Sequence, residues 1–142
     1  MEMRETIALL KSKGYRITPQ RVAILKILKD NTEHPGADEV FRSAMQFHPN
    51  ISMATVYNVM EVLEREGLIR AIAVTSHSRR FDPNVLPHSH FICNSCQRVF
   101  DIPFTDSNGV APEVPMEFEG FKVESFEIVY RGICSECNRK SK

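Results

Sequence analysis

Two Cys-x-x-Cys pairs, Cys93-Asn-Ser-Cys96 and Cys134-Ser-Glu-Cys137, are the residues of this chain best suited to hold a metal ion. A two-residue spacer lets both sulfurs of a pair turn toward one ion, and two pairs supply the four thiolates of a tetrahedral zinc site. Cys134 follows Cys96 by 38 positions, so zinc bound to all four would close a long loop and staple the end of the chain to an earlier hairpin. A redox-active dithiol or two disulfides would use the same residues. Neither pair, however, has the Cys-Gly-Pro-Cys-like entry into a helix that lowers a thiol's pKa.

A second set of donors carries nitrogen and oxygen instead of sulfur. His88 and His90 lie two apart on an extended segment and so point to one side; Asp82 precedes them, and Asp101 is expected on a returning strand. Imidazole and carboxylate ligands without sulfur suit Fe(II), Mn(II) or a second zinc. Spacing alone leaves open that these are ordinary solvated side chains. His48, at a helix end, and His77, in a turn, are expected to face solvent.

These donors need elements to position them. The chain has 142 residues, 42% of them hydrophobic, enough for one domain or two small ones. Small cores are marginal, which makes a metal staple useful. The start is charged and no apolar run resembles a signal peptide or a membrane span, so a cytoplasmic protein without membrane association is expected, and in a reducing compartment cysteines favour metal over disulfides. Net charge is zero, with 12 basic and 10 acidic residues up to Asp82 against 6 and 8 beyond it. That balance permits nucleic-acid binding without establishing it.

The first half reads as helices. Met3, Ile7 and Leu10 recur at helical spacing before Gly14; Thr18-Pro19 starts a second helix with Val22, Leu25 and Leu28 along one face. Residues 30–36 form a turn. A third helix runs from about Ala37 to Phe47, with Val40, Phe41 and Ala44 on one face. Ser52 caps a fourth, over Met53 to Glu66, with Val56, Val59, Met60 and Leu63 inward and Gly67 ending it. Leu68 to Val74 and Arg79 to Asp82 then read as a two-stranded hairpin, which makes a winged helix.

In that arrangement the fourth helix enters the DNA major groove. Ser52, Thr55, Tyr57 and Asn58 lie toward its N-terminal end, while Arg79 and Arg80 on the wing and Arg16 or Arg21 reach phosphates. Tyr57 follows the inward Val56, and neighbours on a helix diverge by about 100°, which favours its exposure. A helical domain that binds protein, or only supports the metal half, is the alternative.

Pro83 and Pro87 bracket a short linker, giving a DNA-binding domain over 1–82, a hinge over 83–87 and a metal-binding domain over 88–142. His90 to Cys93 reads as a strand, Cys93 to Cys96 as a knuckle and Arg98 to Ile102 as the returning strand. The proline- and glycine-rich segment 103–120 should be irregular, with room for one short helix at most. Lys122 to Ile133 is the longest strand candidate. The fold class is therefore α+β, a winged helix followed by a small α/β domain with a four-cysteine zinc site.

Several stretches, in order and spacing, match a known family: Gly14-Tyr-Arg-Ile-Thr-Pro-Gln-Arg21, His34-Pro-Gly-Ala-Asp-Glu-Val40, Ile51-Ser-Met-Ala-Thr-Val-Tyr57, Phe81-Asp82, His88-Ser-His-Phe-Ile-Cys93 and both cysteine pairs. Over nearly its whole length the chain resembles the ferric uptake regulator family. The resemblance implies a homodimeric, metal-dependent winged-helix repressor of operator DNA, palindromic to match the dimer, and not an enzyme. It implies Cys93, Cys96, Cys134 and Cys137 as structural Zn2+ ligands and His34, Asp82, His88, His90 and Asp101 as ligands of a regulatory Fe2+ or Mn2+. His34 is the addition that links the metal to the DNA-binding side.

Asp101 and Asn58 are similar to the peroxide-sensing branch, where iron-sensing relatives tend to carry Glu and Arg. No histidine follows His90, so the extra strand histidine of some relatives is absent. The expectation is a repressor that senses peroxide through metal-catalysed oxidation of a ligand histidine, His34 or His88 first. The rivals are a ferric or zinc uptake regulator indifferent to peroxide and, from another class, a zinc-stapled thiol redox protein using Cys93 and Cys96.

Overall fold

The structure, a computed structural model, describes residues 2–86, 88–115, 117–124 and 126–141. The chain divides into two compact units, the first ending at Val85 and the second beginning at Leu86.

The first unit is a winged helix. Four helices, α1 (Met3–Ser12), α2 (Pro19–Leu28), α3 (Ala37–Met45) and α4 (Met53–Arg65), precede the antiparallel strands β1 (Arg70–Thr75) and β2 (Ser78–Asp82). The local punctuation explains the boundaries. Thr18 Oγ1 accepts the Arg21 N–H at 3.2 Å with Pro19 in the first helical position, and Ser52 Oγ accepts the Thr55 N–H at 3.1 Å. Gly67, at φ +71°, reverses the chain after α4 so that Leu68 N–H reaches Leu63 O at 2.9 Å.

All four helices and the base of the wing share one core, centred on Leu25, Leu28, Val40, Val56, Met60 and Leu63. On α2 the buried face is Ile24, Leu25 and Leu28, and Val22 is only half-buried. The expected stripe is thus turned slightly, because Ile24 and Leu28, four apart, stack on the same face. Phe41 likewise packs at the core's margin, and α3 stops at Met45, short of Phe47.

The second unit contains β3 (Ser89–Cys93), β4 (Val99–Ile102), the short pair β5 (Glu117–Phe118) and β6 (Phe121–Lys122), β7 (Val129–Gly132) and α5 (Ser135–Lys140). Its main sheet has the order β4-β3-β7, with β4 antiparallel and β7 parallel to the central β3. Among the described residues, the single long strand expected over Lys122 to Ile133 is not formed; Ser125 lies outside them. Instead β6 and β7 are separate, because β7 can pair only along the short β3, from His90–Val129 to Cys93–Gly132. Residues 103–115 contain no helix, and α5, which the sequence did not announce, starts directly after Cys134.

Candidate metal centres and nucleic-acid interface

The register of β3 against β7 brings the cysteines together. Cys93 ends β3 opposite Gly132, and Cys134 lies two residues beyond that glycine. Cys93 to Cys96 is a turn closed by the Gln97 N–H to Cys93 O bond at 2.9 Å, with Gln97 itself left-handed at φ +62°. Cys134 caps α5, which returns Cys137 toward the same point. One sulfur from each cysteine lies within 4.8 Å of the others, and Cys96 Sγ to Cys134 Sγ is 3.9 Å. Four thiolates at about 2.3 Å from a zinc ion stand about 3.8 Å apart, so the cage fits that ion.

Backbone amides add to the fit. Cys93 Sγ accepts N–H groups from Cys96 at 3.5 Å and from Cys134 at 3.4 Å. Those two donors hold the Cys93 thiol down to about 6. A side-chain hydrogen bond with the Cys134 sulfur, which favours the protonated thiol, pushes Cys137 up to about 11. Cys93 and Cys134 are buried, Cys137 is half-buried and Cys96 is exposed.

Each unit presents nitrogen and oxygen donors of its own. In the first unit His34 and Asp82, both almost fully buried, meet at 3.3 Å between Nε2 and Oδ2. His34 sits in the turn ahead of α3 in the left-handed conformation, φ +52°, unusual for a residue with a side chain. In the second unit Asp101 lies across the β3–β4 ladder from His90. Its Oδ1 is 3.1 Å from His88 Nε2 and 3.4 Å from His90 Nε2, and the two imidazoles are 4.4 Å apart edge to face. Donors on adjacent corners of a six-coordinate ion with bonds near 2.1 Å stand about 3.0 Å apart, so each group is spaced to share a metal.

On α4, Tyr57 and Asn58 are exposed beside the buried Val56 and Val59, as neighbours on a helix must be. Ser52 and Thr55 are engaged with each other at the cap, their hydroxyls 2.9 Å apart. Arg21 Nη1 donates to Arg16 O at 2.8 Å, while the Arg16 side chain is exposed. Both wing arginines are held by helix carboxylates: Arg79 donates to both oxygens of Glu64 on α4 at 2.7 and 2.8 Å, and Arg80 to Glu39 on α3 at 2.9 Å. The sequence carried no signal for these partners, 15 and 41 residues away. His77 is exposed in the wing turn, and His48 is half-buried.

Winged helix, four-sulfur cage and His/Asp groups together define a class, the metal-responsive winged-helix proteins. Residues 12–131 match the model of the Ferric uptake regulator family, and the chain belongs to that family. It is 36% identical to the Peroxide operon regulator of Bacillus subtilis over 139 residues, 98% of this chain and 95% of that protein. The Campylobacter jejuni peroxide stress regulator is similar in structure at TM-score 0.64 and 27% identity, covering 96% of this chain and 100% of that one. The Helicobacter pylori ferric uptake regulator shares the fold at TM-score 0.74 and 21% identity, covering 96% and 91%.

Proposed function

We propose that the protein is a metal-dependent transcriptional repressor that senses peroxide. The observation that carries this reading is the pair of His/Asp groups, His34 with Asp82 and His88 with His90 and Asp101, each spaced for a shared ion without sulfur. The 36% identity with a peroxide operon regulator over nearly the whole chain supports it.

In this reading Cys93, Cys96, Cys134 and Cys137 hold a structural Zn2+, and His34, Asp82, His88, His90 and Asp101 would hold Fe2+ or Mn2+. Zinc makes the small second unit stable enough to form a homodimer. Residues 83–87 act as a hinge between a DNA-binding domain, 1–82, and a metal-binding domain, 88–142. Donors drawn from both domains restrain that hinge, and the restraint sets the separation of two recognition helices to match half-sites of a palindromic operator about 34 Å apart. Ser52, Thr55, Tyr57 and Asn58 face the bases, and Arg16, Arg21, Arg79 and Arg80 face phosphates; Arg79 does so on leaving Glu64, Arg80 while its Nη1 stays on Glu39.

Fe2+ held by these residues would supply the redox chemistry that splits the peroxide O–O bond. His34 or His88, as a ligand beside it, would take up one peroxide oxygen while the other leaves as water; an imidazole so oxidised stops serving as a ligand and frees the hinge, so DNA affinity falls. The protein acts in the cytoplasm, binds rather than turns over its ligands and is not an enzyme. Among the described residues no helix is long and apolar enough to cross a membrane.

A gel shift on operator DNA with Fe(II), Mn(II) or Zn(II), each with and without peroxide, tests the reading. The Fe(II) form is expected to lose DNA on peroxide treatment with an added oxygen on His34, His88 or His90 by mass spectrometry, while the Mn(II) form resists. Metal-dependent binding that ignores peroxide in every form would instead support a regulator of metal level.

A further inference from the structure

His34 and Asp82 approach each other from different elements, one in the turn before α3 and the other at the end of β2. Nothing in their own contact explains why the turn stays in place, since the left-handed backbone of His34 is a strained conformation that its surroundings must enforce. The enforcing contacts are visible on both sides of the pair.

Arg80, two residues before Asp82, sends Nη1 to His34 O at 3.3 Å and to Glu39 Oε1 at 2.9 Å. The same carboxylate oxygen faces the Gly36 N–H at 3.5 Å. One residue further along β2, the Phe81 N–H donates to Pro35 O at 2.9 Å. Gly36 completes the junction: a Cβ there would lie 2.8 Å from Asp38 Oδ1 and 3.4 Å from Arg79 O, so β2 is pressed against the turn. The Arg80 and Phe81 bonds and the Arg79 carbonyl join the segment carrying His34 to the strand carrying Asp82, while the Glu39 and Asp38 contacts brace the turn itself.

We propose that Arg80 and Glu39 are a positioning pair for the regulatory metal, fixing the backbone of His34 relative to Asp82 so that both donors are presented at ligand spacing before the ion arrives. The proposal rests on the reading of His34 and Asp82 as metal ligands. Arg80 touches the His34 main chain, not its imidazole, so its work is to set geometry; outer partners of this kind govern metal affinity strongly. The structure also supplies an internal control. Arg79 and Glu64 form a comparable and closer ion pair from the adjacent position of β2, but it ties the wing to α4 and touches neither donor.

The test uses the full zinc-loaded chain. Mn(II) affinity is measured from the EPR signal of free Mn(II) for Glu39→Gln, Arg80→Ala, Arg80→Lys, the control Glu64→Gln and the ligand variant Asp82→Ala. Amide exchange at Gly36 and Phe81 is followed in the same proteins without manganese. Glu39→Gln and Arg80→Ala are expected to weaken Mn(II) binding about 10- to 100-fold and to speed exchange at both amides. Arg80→Lys, which keeps the charge and a donor, recovers most of the affinity, and Glu64→Gln stays within about twofold of the parent on the same scale.

The proposal is overturned if Asp82→Ala weakens binding while Glu39→Gln and Arg80→Ala do not, or if Glu64→Gln weakens it as much as Glu39→Gln does, which would mean a general loosening of the wing. An Asp82→Ala protein that binds Mn(II) as tightly as the parent overturns the ligand assignment itself, and the positioning role with it.

Discussion

Replacing Cys96 with serine should dismantle the second unit and leave the first intact. Cys96 is the exposed member of the sulfur cage, so the substitution hardly disturbs packing and acts through the lost ligand. The size of the effect follows from chain length. A zinc ion held by all four cysteines would close the loop of 38 positions between Cys96 and Cys134, and a protein that no longer retains the ion loses a cross-link worth about 4 kcal/mol of unfolded-chain entropy.

The second unit has little to set against that loss. Its buried apolar residues, among those described, are Ile92 and Val99 beside the cage cysteines Cys93 and Cys134. The first unit has a continuous core from Leu10 to Phe81. Losing about 4 kcal/mol from a domain whose whole stability falls near the low end of 5–15 kcal/mol leaves it largely unfolded or marginal. Hydrogen exchange read by mass spectrometry, on the Cys96→Ser protein and on parent protein treated with a strong chelator, resolves the two units. Exchange should become fast across β3, β4 and β7 in both samples while α2 and α4 keep their protection. If the β3 amides stay protected without zinc, the staple argument is refuted.

Three further outcomes are expected. Tyr57→Ala, at a side chain 57% exposed, should lower operator affinity by about tenfold or more, a loss of about 1–3 kcal/mol, with the thermal midpoint unchanged. Leu63→Ala, fully buried on the opposite face of the same helix, should cost about 2–5 kcal/mol in denaturant unfolding of the first unit, and a loss under 1 kcal/mol would contradict the packing described. Zinc affinity in chelator competition should fall on acidification. Cys137, raised to about 11, must release its proton to bind zinc throughout the neutral range, so at least a tenfold loss per pH unit is expected there. Cys93, lowered to about 6, stays a thiolate until the pH drops through that value, and one more proton should then enter the slope.

Local chemistry made much of this legible in the sequence. Thr18, Ser52 and Gly67 mark helix ends through bonds spanning only a few residues, and the outward turn of Tyr57 follows from the buried Val56 beside it. The cysteine pairs announce a cage because two residues suffice to aim two sulfurs at one point. What escaped was set by distant partners. The alternation from Lys122 onward suggests one strand, but only the residues that find β3 in parallel register become β7. Arg79 and Arg80 look like free cations until Glu64 and Glu39 are placed beside them by the packing of α4 and α3 against the wing. The turn at His34-Pro35-Gly36 is evident from composition, whereas the buried, left-handed His34 is not.

The parallel pairing of β3 with β7 also orders events in time during biosynthesis. The first unit can fold as soon as β2 has left the ribosome, because its core is complete by Phe81. The β3–β4 hairpin then emerges with Cys93 and Cys96 but lacks both the flanking strand and two of its sulfurs, which are encoded 38 positions later. At about 5–20 residues per second, that interval lasts roughly 2–8 s. For those seconds the nascent chain carries Cys93 and Cys96 without the two sulfurs that complete the cage, so the pair meets oxidants with no partner thiolates to share a metal.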